Sequence, residues 1–333
     1  MSAKHFDVVV VGGGPAGLSA ALILGRMRRR VLLVDTESPA NAVSNAMHGF
    51  LSRDGTPPAE VRRAAREELR TYDSVAYRRL AARAARRLPA GDFEVDLADG
   101  SEVAARRLLL AHGTRYGLPD LEGVAEVWGR HVFHCPYCHG WEVRDRAIAV
   151  YGGGDRAVHQ ALLLASLSDD VVLLTDGDAD LPAEQRERLA TAGVELVDGR
   201  VERIREDGGG LGIVFAGRAA LARHALFIQP KLALASDLAV SLGAALTDVG
   251  SVDTDAAGQT SVRGLYAAGD AGSTVQSVAV ATGSGARAAY AINAELAMED
   301  TAPAAVQSAI ALGLLAASPD PSGNGSTNAK VRP

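Results

Sequence analysis

The sequence of 333 residues is poor in aromatic side chains, which make up 5% of it, and poorer still in cysteine, of which it has two. With so few rings, the core has to be built from aliphatic side chains, and 36 glycines point to many tight turns. Two cysteines cannot make the disulfide framework that stabilises small secreted domains. An excess of positive charge is also missing. The 34 basic and 40 acidic side chains leave a net charge of −6, which argues against nucleic acid as a partner. No apolar run approaches the roughly 20 residues that span a bilayer, so a membrane is not expected as a partner either. The chain opens Met1-Ser-Ala-Lys-His and enters a valine-rich segment at once, without the pattern of a secretory signal. A cytoplasmic location is therefore expected. A composition of 47% hydrophobic and 22% charged residues excludes long disorder, a fibrous repeat and a coiled coil as the main architecture. The length suggests about two domains.

Two segments of the chain resemble one another. Residues 6–36 read FDVVVVGGGPAGLSAALILGRMRRRVLLVDT, and residues 147–176 read AIAVYGGGDRAVHQALLLASLSDDVVLLTD. Each is a short apolar strand, a glycine cluster, an amphipathic helix and a second apolar strand. Aligning Gly12 on Gly152 superimposes the second strands without a gap. Two βαβ units in one chain predict an α/β protein with parallel sheets covered by helices on both faces. Between and after them the pattern predicts a helix over 57–69 with Arg62, Arg63, Arg66 and Arg70 near one face. Strands follow between 75 and 97 with a turn at Pro89-Ala90-Gly91-Asp92, and another over 103–111. A hairpin is expected at Gly208-Gly209-Gly210, a last strand at 264–270 and a helix over about 275–298. Beyond about Ser318 the chain is rich in Pro, Gly, Ser and Asn and is expected to be disordered. The arginines between 62 and 87 are read as a solvated basic face.

In the first glycine loop, Gly12 allows the tight turn, Gly14 lets the backbone approach a pyrophosphate and Gly17 lets the helix pack on the strand. The phosphates would sit on the helix N-terminus. Asp35 ends the second strand, roughly 20 residues on, where a carboxylate accepts hydrogen bonds from a ribose. Strand, helix and acid in this order specify a dinucleotide site. The second loop, Gly152-x-Gly154-x-x-Ala157, is followed by Thr175-Asp176-Gly177. An NADP site wants arginine there, and an NAD site wants an acid one residue earlier, so NAD(P) at this loop is left open.

Residues 134–139 read His-Cys-Pro-Tyr-Cys-His. A CxxC spacing permits a small disulfide ring and an activated thiolate. Zinc held by His134, Cys135, Cys138 and His139 is a second reading, but structural zinc usually draws ligands from a distant second segment, and none is seen. A c-type haem would match Cys135-x-x-Cys138-His139 but needs export. Two inert buried cysteines are a fourth reading. A dithiol gives up two electrons, and flavin is the cofactor that accepts such a pair; FAD at the first loop is the economical assignment. His139 or His134 would serve as the base for thiols, since imidazole titrates near neutral pH. His139 is favoured. Trp141 and Glu142 are read as a packing aromatic and a helix-start acid.

The order GGGPAGLSAA, HCPYCHGWE, GGGDRA and YAAGD resembles the low-molecular-weight thioredoxin reductases, FAD-dependent disulfide oxidoreductases, over about residues 6–300. The resemblance implies two Rossmann-like dinucleotide-binding domains, the second inserted into the first. An FAD domain would be made of 1–116 and 242–317, and an NAD(P)-like domain carrying the CxxC of 117–241, with 318–333 as a tail. It implies a homodimer, with Cys138 the flavin-proximal thiol and Cys135 the interchange thiol. Gly12, Gly14, Pro15, Ala16 and Gly17 match the family's FAD loop, and Asp35, Gly113, Gly269, Asp270 and Gln276 further FAD contacts. Asn41 and His48 lie in the segment that passes near the flavin. Three departures stand out. His139 replaces an acid, Thr175-Asp176-Gly177 replaces a cationic phosphate cluster, and Val275 replaces an arginine. With HCPYCHGWE and HGFLSRDG, they resemble the branch of dithiol oxidases that close disulfides in natural products of the gliotoxin and holomycin type. In that branch electrons pass from a small-molecule dithiol to the enzyme disulfide, then to FAD and to oxygen. The alternative is an NAD(P)H-dependent reductase acting on a thioredoxin-like protein.

Overall fold

The computed structural model describes residues 4–177 and 181–303. The expected tail at 318–333 and the end of the segment 242–317 lie outside the described residues.

β1 (Lys4–Val11) is the valine-rich opening segment, and Val8 to Val11 are all buried. A strand buried on both faces belongs in the middle of a parallel sheet. It pairs in parallel with β2 (Val31–Val34) and β6 (Glu102–Leu110). β3 (Val75–Arg78) extends the sheet beyond β2, and β17 (Leu265–Ala267) lies beside β6, both in parallel. β5 (Phe93–Leu97) and β4 (Ala82–Arg87) close the other edge antiparallel, and their turn falls at the expected Pro89–Asp92 stretch, where the Leu88 amide donates to the Asp92 carbonyl. α1 (Pro15–Arg26) follows β1 with proline in its first turn, where a missing N–H costs nothing. α2 (Pro58–Leu69) fills the crossover before β3. α8 (Val278–Thr301), capped by the Ser277 side chain accepting from the Val280 amide, lies against α1. It starts three residues later than predicted because that serine sets its first turn. Gly285 makes the contact possible: a Cβ there would stand 2.0 Å from the Ala16 carbonyl oxygen.

The second sheet has the order β11 (Glu195–Val197), β10 (Val171–Leu174), β9 (Ile148–Tyr151), β15 (Ala225–Ile228), β8 (Val132–Phe133), and every pairing is parallel. α5 (Gly154–Ala165) and α6 (Ala183–Thr191) belong to its crossovers. An antiparallel triplet of β12 (Val201–Asp207), β13 (Gly210–Phe215) and β14 (Arg218–Arg223) packs alongside, with the predicted Gly208-Gly209 turn between its first two strands. Short helices α3 (Val124–Val127), α4 (Pro136–His139) and α7 (Leu238–Ser241) lie in the connections. The chain leaves the first sheet through β7 (Thr114–Gly117) and returns through β16 (Lys231–Leu234), which pair with each other. The architecture is thus two Rossmann-like units, the second entered and left between β6 and β17 of the first.

Candidate active site

A cavity of about 760 Å³ opens where the carboxyl ends of β1, β2 and β6 meet the redox segment, the place where ligands bind in open parallel sheets. At its floor Gly12, at φ +109°, turns the chain under Ala111, whose carbonyl a Cβ would strike at 2.3 Å. Gly14 faces open space, so nothing of the protein fills the cradle above the start of α1. Gly17 does not line the cavity. A Cβ there would meet the Gly12 carbonyl oxygen at 1.9 Å, so it is the packing glycine of the loop. Pro15, Ala16, Asp35, Asn41, His48, Gly113, Gly269, Asp270 and Gln276 all line the cavity, as do Cys138, His134 and His139.

Cys135 and Cys138 are joined in a disulfide with their Cα atoms 5.2 Å apart. The pairing is the small ring that the redox reading of the CxxC expects. Cys135 is not part of the cavity lining while Cys138 is, so the two ends of the disulfide look different ways. α4 begins at Pro136, and the Cys135 carbonyl accepts from the amides of Cys138 and His139. The turn brings His139 onto the face of Phe133, with ring centroids 4.4 Å apart and planes 17° apart. His134 sits against Tyr116 at 4.6 Å and Trp128 at 5.7 Å.

The two histidines do not titrate near neutral pH as expected. Burial among rings pushes each imidazole down to about 4, and for His139 the neighbouring His134 and His48 add to the effect. His139 Nδ1 is buried without a hydrogen-bond partner. His48 lies between two carboxylates, 3.5 Å from Asp54 and 3.5 Å from Glu142; Glu142 is the acid of the first turn of the short 3-10 helix Trp141–Val143, as expected, and also faces His48. Trp141 is exposed, with Arg144 over its ring at 4.0 Å, and is not a packing aromatic. Asn41 accepts from Arg62 at 3.2 Å, and Arg66 and Arg79 reach Glu37. Arg62 of the basic face thus reaches a residue that lines the cavity, while Arg79 stays exposed.

Sequence reading missed several lining residues: His112, Thr114, Tyr116, Trp128 and Met47. His112 followed the strand in the motif His-Gly-Thr, a visible but unspecific signal. Its Nε2 is buried and unpartnered. Tyr116 and Thr114 both reach Gln276, the latter at 2.9 Å, a pairing across 162 residues that no local pattern carries. Asp270 has no hydrogen bond from the protein among the described residues, and burial pushes its carboxyl up to about 6.

Residues 6–285 match the family model for pyridine nucleotide-disulphide oxidoreductases. The chain belongs to this family. Relatives include thioredoxin reductase aclD of Aspergillus oryzae, 30% identical over 91% of this chain and 100% of that protein. Thioredoxin reductase sirT of Leptosphaeria maculans is 31% identical over 86% and 93%. Among solved structures, HlmI matches with a TM-score of 0.86 and 40% identity over 92% of this chain and 96% of its own. An oxidoreductase from Agrobacterium tumefaciens matches with 0.83 and 36% over 88% and 99%. The family binds FAD, and the cavity fits it. An open cradle at Gly14, an acid at Asp35, a half-buried carboxyl at Asp270 facing the cavity and an orphaned His112 nitrogen are what a nucleotide with hydroxyl-bearing chains requires.

Proposed function

We propose that the protein is an FAD-dependent dithiol oxidase that closes an intramolecular disulfide in a small-molecule dithiol, with oxygen as the final electron acceptor. One observation carries this reading over the reductase alternative. At the end of β10, where a reductase would present cations to NADPH, stand Thr175 and Asp176, both already engaged. Thr175 donates to Asp198 at 2.8 Å, and Asp176 accepts from the Tyr151 hydroxyl and the Val201 amide, each at 2.7 Å. A carboxylate there, where the cations would stand, opposes a 2′-phosphate. The exposed Gly153 and Gly154 of the second loop favour the alternative, an NAD(P)H-dependent reductase of thioredoxin-like disulfides, the activity for which the curated relatives are named.

Gly12, Gly14, Pro15 and Ala16 would hold the pyrophosphate of FAD, Asp35 its adenosine ribose, and Asp270 a hydroxyl of its flavin side chain. Bound there, FAD supplies a two-electron acceptor beside Cys138. A substrate thiolate attacks Cys135 Sγ, the Cys135–Cys138 bond breaks, and its electron pair leaves on Cys138. The second substrate thiolate attacks the mixed disulfide, closing the product bond and releasing Cys135 as a thiolate. Substrate loses two electrons and two protons, and the enzyme disulfide gains the electrons. His139, unprotonated at neutral pH, is able to take a proton, and the thiolate forming on the adjacent Cys138 then stabilises the imidazolium. We infer a homodimer as well. Val280, Tyr290 and Met298 of α8 are exposed, and sedimentation velocity reads the assembly directly.

The test is anaerobic bleaching of the bound flavin by a small dithiol, NADPH and NADH in separate samples, followed by air. Bleaching by the dithiol alone with rapid return of colour is expected. Fast bleaching by either nicotinamide with slow return would make the protein a reductase.

A further inference from the structure

Gln160 is a buried amide in α5, 6% exposed, in the unit that carries the redox motif. A buried amide this far from water has to have its donors and acceptor met. Its Nε2 donates to the His134 carbonyl at 2.6 Å, and its Oε1 accepts from Gln229 Nε2. Gln229 in turn follows β15 and lies over the second glycine turn: a Cβ on Gly152 would stand 2.5 Å from its Oε1. A continuous line of contacts thus runs from Gly152 through Gln229 and Gln160 to the carbonyl of the residue just before Cys135.

That carbonyl needs pinning. β8 ends at Phe133, α4 begins at Pro136, and Cys135 between them is extended, at φ −113° and ψ 110°. His134 therefore lies outside both elements, while the Cys135 carbonyl already accepts from the Cys138 and His139 amides at the start of α4, so it is at His134 that the direction in which Cys135 Sγ is presented is left to other contacts. The His134 ring packs against Tyr116 and Trp128, which also touch each other and come from outside the second sheet. The Gln160 bond is the one that ties the same residue to the second sheet's own helix. The orientation of the pair is set from behind, because Gln229 donating to Oε1 leaves only the Gln160 NH2 group to face His134.

We propose that Gln160 and Gln229 are positioning residues for disulfide exchange: the second glycine turn serves as a bracket that fixes the His134 carbonyl and hence the line of attack on Cys135 Sγ. This concerns the exchange step of the family and holds for an oxidase and a reductase alike. Neither glutamine touches the reacting sulfurs.

The test uses the flavin-loaded full chain and dithiothreitol as the probe. The rate of reduction of the Cys135–Cys138 disulfide is read by thiol titration of anaerobically quenched samples, so it depends neither on the natural substrate nor on oxygen. Gln160→Met should slow reduction about tenfold, the scale on which a small misplacement of a reacting atom acts. Gln229→Met should slow it less, and the double variant should be no slower than Gln160→Met, because both act through one bond. Melting temperature is recorded alongside. Variants that lose melting temperature while their reduction rates stay at the wild-type value would overturn the proposal, as would rate losses that multiply in the double variant. Should Gln160→Met fail to fold, Gln229→Met at its half-buried site decides by the same rate. Failure of the oxidase reading would show separately, in the flavin-bleaching experiment.

Discussion

A histidine held without its proton at neutral pH leaves a measurable mark on stability. His139 has a native value near 4 against 6.5 for the free side chain. Between those values the unfolded chain binds a proton that the native chain refuses, so stability falls as pH is lowered from 6.5 towards 4. The His139→Phe variant, which retains a ring to lie on Phe133, should lose less melting temperature than wild type between pH 7 and 4.5. Equal losses would show that the site does not exclude the proton. Asp270 acts with the opposite sign, because its native value near 6 lies above the free value of 3.8: the stability of its protonated form is lost as pH rises through that window. Asp270→Asn should weaken FAD retention by about ten- to a hundredfold, the scale of a hydrogen bond to a charged group. It should leave the flavin-free protein no less stable. Equilibrium dialysis and melting of the stripped protein separate the two effects.

At the scale of elements, α1 and α8 form the contact on which the first unit depends. Ala16, Ala20, Ala21 and Leu24 of one helix meet Ala281, Ala288, Ala289 and Ile292 of the other in one core. Small side chains let the backbones approach, and at Gly285 the approach leaves no room for a methyl group. Gly285→Ala should therefore cost about 1–3 kcal/mol by overpacking and reduce FAD content, since Ala16 and Ala281 both line the cavity. Urea denaturation checks it, and an unchanged midpoint would show that the helices can part freely. The far end of α8 is fixed by charge. Arg107, 6% exposed, donates to Glu295 at 2.9 Å and to Glu299, and Arg106 joins Glu299 and Asp300. The helix itself was legible from its apolar pattern. These pairs were not, because arginines in a strand and acids in a helix some 190 residues later share no local signature.

For the whole molecule, the relation between the two units sets what reaches the flavin site. β7 and β16 carry the chain across, and the disulfide stands at the cavity of the first unit although it belongs to the second. In the proposed oxidase, nicotinamide has no part in electron flow from a dithiol outward. Addition of NADPH or NADH should leave the melting temperature within about 1 °C, because only a ligand that binds the native state raises it. FAD should raise that of the stripped protein. A clear rise with NADPH would restore the reductase reading. Among the described residues no helix is long and apolar enough to cross a membrane.

The sequence by itself determined the two βαβ units, the first glycine loop with Asp35, the redox pair and the order in which they occur, because each is written in a short run of neighbouring residues whose spacing follows helix and strand geometry. It also showed that a cationic cluster is missing at Thr175-Asp176. Tertiary structure alone decided the rest. It determined that Cys138 lines the cavity and Cys135 does not, and that Glu142 pairs with His48. It determined that Tyr116 and Trp128 pack against His134, that Gln276 is held by Thr114, and that Gln160 grips the chain before Cys135. Most of those relations join residues too far apart in the chain to share a local pattern, up to 162 positions for Thr114 and Gln276. The low proton affinity of His134 and His139 has the same origin, since it comes from rings and distance from water that only the folded chain assembles.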